Sequence, residues 1–195
     1  MLRSAVLASH RGTNFQAMAN FCRQQHVTAK IVLLICNNPE APVIQRAREA
    51  RIKAKHLSLI THPSQDMLDM AINQELINQN VDLVVLAGYM KKLGPNVLAS
   101  HKNQIINEHP SLLPKYGGLG FYGLSVQEAA IKSSGKKTGV TVHLVNKDYD
   151  SGTTLLQEKM KVNPDDTPES LAERLKPLEQ NLLFTPIKRF AAEKK

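Results

Sequence analysis

Asn107 and His109 stand two residues apart in INEHP, where Pro110 ends an apolar run. On a strand that spacing points both side chains to one face, so an amide and an imidazole would reach one site. Together they could donate hydrogen bonds to an oxygen that gains negative charge, which is what acyl transfer requires. Glu108, between them, would face the other way and serve the structure. Asp150, in DYDSG, could fold back onto His109, orient its ring and favour the imidazolium. A third cluster, Ser9-His10-Arg11-Gly12-Thr13-Asn14, separates an apolar run from a helical pattern. Free N–H groups at such a helix start could hold phosphate, with Gly12 admitting the anion and Thr13 and Asn14 adding side-chain bonds. Each cluster also has a plainer reading: a helix cap at Thr13 or Asn14, a structural histidine at His109, a turn residue at Asp150.

Other chemistries find less support. There is no G-x-S-x-G elbow, and Cys22 and Cys36 lie in apolar settings that read as buried thiols. His62, His101, His109 and His143 lack zinc-ligand spacing, so no metal is expected. The first loop has neither G-x-G-x-x-G nor a P-loop lysine, which makes NAD and ATP weak readings.

These clusters need elements to hold them. Strand-like and helix-like segments alternate, predicting an α/β domain with a Rossmann-like, mostly parallel sheet flanked by helices. Strands are expected at 4–8, 31–36, 57–60, 82–87, 103–109, 139–146 and 153–162. Helices are expected after the first loop (Phe15, Met18 and Cys22 on one face), from Pro42 (Ile44, Ala47, Ile52), through Leu68, Ile72 and Leu76, and around 125–133. A last helix should begin at Thr167-Pro168-Glu169 and bury Leu171, Leu175, Leu178 and Leu182, with Pro177 kinking or breaking it. On 139–146, His143 would share a face with Thr141 and Val145.

With 195 residues, 42% of them hydrophobic and 22% charged, one ordinary globular domain is the default. The division expected is a domain over 1–190 and a short basic tail over 191–195. The net charge of +8 is spread along the chain, favouring anionic small molecules over nucleic acid as partners. No run approaches the roughly 20 apolar residues of a membrane helix, and MLRSAVLASH is too short and weakly basic for a secretion signal. A cytoplasmic location with no membrane partner is the expectation.

Four segments, taken in order, resemble the glycinamide ribonucleotide formyltransferase family: SHRGTN, AGYMKKL at 87–93, INEHPSLLPKYGG at 106–118 and GVTVHLVNKDYDSG at 139–152. The resemblance covers essentially the whole chain. It implies formyl transfer from 10-formyltetrahydrofolate, as co-substrate, to the amine of glycinamide ribonucleotide in de novo purine biosynthesis, with no metal and no covalent enzyme intermediate. It places the catalytic roles on Asn107, His109 and Asp150. Gly12, Thr13 and Asn14 would hold the phosphate, and Glu179 the ribose or glycinamide. Met90, Lys91, Lys92 and Leu93, with Asn107, Asp150 and the backbone of 146–150, would line the folate pocket. A cis Leu113–Pro114 bond and a supporting role for His143 are also implied. The chain departs from the family pattern at His10, Gln65, Leu144, Gln180 and the glycine-rich loop 117–123, which opens the question of another phosphorylated amine. Methionyl-tRNA or an amino sugar is the rival amine, and a nucleic-acid-binding protein is the non-enzymatic rival. Either a monomer or a homodimer fits.

Overall fold

The computed structural model describes residues 1–24, 27–133 and 136–194. The chain forms β1 (Leu2–Ala8), α1 (Thr13–Arg23), β2 (Ala29–Cys36), α2 (Pro42–Glu49), β3 (Lys53–His56), α3 (Gln65–Asn78) and β4 (Leu83–Leu86). It continues through α4 (Pro95–Ser100), β5 (Ile105–His109), α5 (Leu124–Lys132), β6 (Lys137–Leu144), β7 (Thr154–Lys161) and α6 (Pro168–Glu193). One sheet takes the order β3-β2-β1-β4-β5-β6-β7. Its first five strands pair in parallel, and β6 and β7 join antiparallel. The α/β architecture is therefore the expected one: a single, mostly parallel sheet flanked by helices.

The inner strands are apolar on both faces because helices cover both. One core packs Phe15 and Met18 of α1 and Leu171, Leu175 and Leu183 of α6 against β1 and β2. The other packs Leu68, Ile72 and Leu76 of α3 and Val97 of α4 on the opposite face. A fully buried side chain of this size contributes about 1.5–3 kcal/mol. Phe21 and Phe184 stack at 4.2 Å between centroids, fastening α1 to α6.

The strand order reverses at β1. The chain leaves it for β2 on one side and later returns to β4 on the other, so the loops after β1 and β4 diverge and open a crevice. Ser9 ties this point together. Its N–H donates to the Gly88 carbonyl (3.1 Å), and its hydroxyl donates to Asn37 Oδ1 (2.6 Å) and accepts from Met90 N–H (2.8 Å).

Four local expectations are corrected. The third strand is Lys53–His56 rather than 57–60, which forms a turn. There Lys53 and Lys55 pair with Glu75, so an edge strand of polar residues outcompetes the apolar LSLI. The face of α2 that enters the core carries Val43 and Ala47, with Ile44 only partly buried. Cys36 is buried, but Cys22 is half-buried, as its place late in α1 leaves one side open. Finally, Pro177 does not break α6, which runs on through Pro177 and Pro186, carried by the buried seam that flanks them. It starts as expected, with Thr167 and Ser170 capping each other. It extends to Glu193 with Ala191 buried, so the segment expected as a tail begins within the helix, and Lys195 lies outside the described residues. Helix α4 was not foreseen.

Candidate active site

β5 carries Asn107 and His109 to its C-terminal end, and β6 runs antiparallel beside it, setting Asn107 opposite His143 and His109 opposite Thr141. All four side chains fall on one face, as the alternation of a strand requires. The loop after β6 brings back Asp150, whose backbone has a positive φ of 50°. Its carboxylate lies 3.7 Å from His109 Nδ1 and 3.5 Å from His143 Nε2. Asn107 Nδ2 donates to His143 Nε2 (3.2 Å) and, at 3.4 Å, to Asp150 Oδ1. The backbone N–H of Gly118, itself at φ +90°, donates to Asp150 Oδ2 at 2.9 Å. The structure thus gathers Asn107, His109, His143 and Asp150 into one constellation.

The partners define the ring protons. His143 Nδ1 faces the Leu144 carbonyl at 2.8 Å, so it carries hydrogen and leaves Nε2 to accept from Asn107. His109 has an acceptor at each nitrogen: the Tyr116 carbonyl at 2.7 Å from Nε2 and the Asp150 carboxylate near Nδ1. That geometry suits the imidazolium. Burial opposes it and prevails, pushing His109 below the usual histidine range against the pull of Asp150 and the Tyr116 carbonyl. Burial alone would raise Asp150, but the His143 ring beside it, the His109 charge and the Gly118 N–H hold it below the usual carboxylate range.

Sequence patterns did not reveal what positions the loop after His109. Thr141 Oγ1 donates to the Ser111 carbonyl (2.7 Å) and accepts from Leu113 N–H (3.1 Å) and Gln157 Nε2 (2.9 Å). Ser111 Oγ in turn donates to the Lys115 carbonyl at 2.6 Å. The Leu113–Pro114 bond within this loop is cis, as expected. Gly139, a period-two outlier in β6, is required by close approach, since a Cβ there would lie 2.0 Å from the Glu158 carbonyl oxygen.

Gly12 caps α1 in the left-handed region, at φ +69°, with no side-chain cap from Thr13 or Asn14. A Cβ at Gly12 would also strike Val43 at 2.2 Å. The α1 N-terminus opens onto the crevice, where its unpaired N–H groups suit an anion. Asn14 does something else. Both of its amide hydrogens are engaged, one by Glu108 Oε2 and one by Glu179 Oε2, each at 3.1 Å. Glu108 does face away from His109, but toward this second carboxylate rather than into an inert core.

A cleft of about 1280 Å³ joins these groups. Its walls include Gly12, Thr13 and Asn14 together with Asn107, His109 and Asp150. Glu179 lies on the α6 side, while Met90 to Leu93 face the loop 145–150. Lys92 Nζ stands 5.5 Å above the Tyr149 ring, bracing those two walls. Leu93 is mostly core, packed beneath the wall it helps to form. Of the departures seen in sequence, His10 and residues 118–123 line the cleft, whereas Gln65 begins α3 away from it. Among the described residues no group of three or more His, Cys, Asp or Glu could hold a metal ion, and no helix is long and apolar enough to cross a membrane.

The family model for formyl transferase matches residues 2–187. Phosphoribosylglycinamide formyltransferase of Haemophilus influenzae is 37% identical over 190 residues, covering 97% of this chain and 87% of that protein. The Bacillus subtilis enzyme of the same name is 32% identical, covering 96% and 94%. The crystal structure of glycinamide ribonucleotide transformylase 1 from Symbiobacterium toebii superposes with a TM-score of 0.93 at 35% identity, covering 99% of this chain and 89% of that one.

Proposed function

Since this chain belongs to the phosphoribosylglycinamide formyltransferase family, a formyl transferase family of purine biosynthesis, we propose that it moves the formyl group of 10-formyltetrahydrofolate onto the amine of glycinamide ribonucleotide. The observation that carries this reading is the meeting of Asn107, His109 and Asp150 in one cleft with the α1 N-terminus and the wall at 90–93. Residues 1–190 form the catalytic domain in this reading.

The nucleotide phosphate sits against the N–H groups of Gly12 and Thr13. Asn14 contributes by holding Glu179, whose carboxylate accepts from the ribose or glycinamide. The folate substrate occupies the side walled by Met90, Lys91, Lys92 and Leu93, where flat apolar surface and backbone edges suit a pterin. Its formyl carbon is the electrophile, attacked directly by the substrate amine. Asn107 Nδ2 and the His109 imidazolium donate to the oxygen that becomes anionic. Two long contacts of the constellation, Asn107–Asp150 at 3.4 Å and His109–Asp150 at 3.7 Å, are free to be redirected to that oxygen. Asp150 offsets the cost of charging His109 and relays the amine proton through water to the folate nitrogen, whose bond to the formyl carbon breaks as the tetrahedral intermediate collapses. His143 fixes the Asn107 amide.

A formyl-transfer assay offering glycinamide ribonucleotide beside methionyl-tRNA, an amino-sugar nucleotide and a non-ribosyl phosphorylated amine tests this reading. The expected result is a kcat/KM for glycinamide ribonucleotide far above the others. Preference for any other amine would overturn the substrate assignment, and absence of transfer to all four would overturn the reaction.

A further inference from the structure

The contacts around Asn14 leave an imbalance that the mechanism above does not use. Glu108 is a carboxyl at 8% exposure, reached by one donor, Asn14 Nδ2. Its other oxygen, Oε1, has no hydrogen-bond partner among the described residues, and neither has Asn14 Oδ1. A buried carboxylate needs donors at both oxygens or a cation beside it. Glu108 has neither.

What it does have is a second carboxylate, Glu179, on the other hydrogen of the same amide. Among the described residues no cation offsets its charge. Across the sheet Glu108 pairs with the apolar Val142, while Asn107 and His109 point to the opposite face. From α6 the charged neighbours on the cleft wall are Glu169, Glu173, Lys176 and Glu179, of which Lys176 acts on Glu179 rather than on Glu108. Burial first, then the Glu179 charge, push Glu108 well above the usual carboxylate range.

We infer that Glu108 is a positioning residue for the phosphorylated amine: held as the neutral acid, it fixes the Asn14 amide and through it aims Glu179 into the cleft. The inference rests on the proposed substrate and adds a residue to its recognition. Glu108 Oε2 accepts from Asn14 as the carbonyl oxygen of an acid, and Oε1 carries the proton. Ionised, it would place a second negative charge against Glu179, beside a substrate that is itself anionic. Neutral, it anchors Asn14 from the side away from the ligand. The amide then has one orientation, because flipping it would turn Oδ1 toward two acceptors. Glu179 is held by a donor that is itself held.

Three measurements test this. In an infrared difference spectrum of the wild type against E108Q at neutral pH, a protonated carboxyl stretch is expected in the wild type and absent from the variant. A spectrum with only ionised carboxylate bands would overturn the inference. In steady-state kinetics E108L should raise KM for glycinamide ribonucleotide about tenfold, leaving KM for the folate substrate in place. E108Q, which mimics the neutral acid, should recover most of that loss. An unchanged KM in E108L would reduce Glu108 to a packing residue, and a loss in E108Q equal to that in E108L would show that the charged form is needed. Calorimetric affinity for ribose 5-phosphate should follow the same order of variants. It does not depend on turnover, so a failure of the proposed reaction and a failure of this inference are told apart.

Discussion

His109 has two acceptors and little water, and these pull its proton in opposite directions. Burial lowers its affinity for the proton while Asp150 and the Tyr116 carbonyl raise it, with burial ahead. Removing the Asp150 charge must then lower it further. In D150N the pH at which activity falls on the alkaline side should move down, because the imidazolium is lost earlier, and the His109 ring signals followed by NMR should titrate at lower pH. An unmoved titration would separate Asp150 from the charge on His109. The variant H109N should lose roughly a hundred- to ten-thousand-fold in kcat, the range of a general acid or an oxyanion donor, while its thermal midpoint stays near that of the wild type. Wild-type turnover there would remove His109 from the chemistry. Asn14 is the residue whose role changed most between sequence and structure. Its position in the first loop pointed to phosphate, but both of its hydrogens go to carboxylates.

At the scale of elements, the site depends on a loop that the Thr141 hydroxyl ties to β6. Thr141 serves Ser111, Leu113 and Gln157 at once, so T141V would strand the Ser111 carbonyl and the Leu113 N–H, while Gln157 keeps its bond to the Leu113 carbonyl (3.0 Å). A cost of about 1–3 kcal/mol in unfolding free energy is expected from denaturant titration, since partners are left unpaired while volume is kept. The same change should raise KM for the folate substrate by loosening residues 110–118, and an unaltered KM would show that the loop holds its shape without Thr141. The elements that were legible in sequence are those whose evidence is local: period two in 139–146, an apolar run in 83–86, a cap and proline at Thr167-Pro168. The spacing of Asn107 and His109 belongs to the same class. What could not be read is what comes from elsewhere in the chain. The six residues of α4 are held by Asp69 of α3, which accepts from the N–H groups of Asn96 (2.7 Å) and Val97 (3.2 Å). A helix that short has too few residues to show a period, and its cap lies 27 positions away. The β3 edge strand is held by Glu75 in the same way, which is why the apolar LSLI beside it misled.

For the whole molecule, the buried titratable groups set how stability follows pH. His109 and His101 are both pushed by burial below their usual value of 6.5. The unfolded chain therefore binds their protons more readily, and stability must fall as pH drops below that value. Asp150 and Glu75 are depressed in the folded state and extend the loss into more acidic conditions. Glu108 and Glu179 act with the opposite sign. Their folded values are raised, so the stability they favour is present at low pH and lost as pH rises through those values. In calorimetric midpoints E108Q should gain on the wild type as pH rises toward the alkaline side; a constant gap between the two at all pH values would contradict the assignment of a raised carboxyl. The Asn14 clamp has one more consequence, concerning synthesis rather than catalysis. Its bonds span 94 and 165 positions, joining the first helix to a middle strand and to the last helix. During translation Asn14 and Glu108 are made long before Glu179 leaves the ribosome, so the nascent chain carries an acidic side chain in an unfinished wall while α6 is still missing. The part of the cleft walled by α6 thus forms only once that helix is made, and an interrupted chain lacking α6 would hold Asn107 and His109 without Glu179.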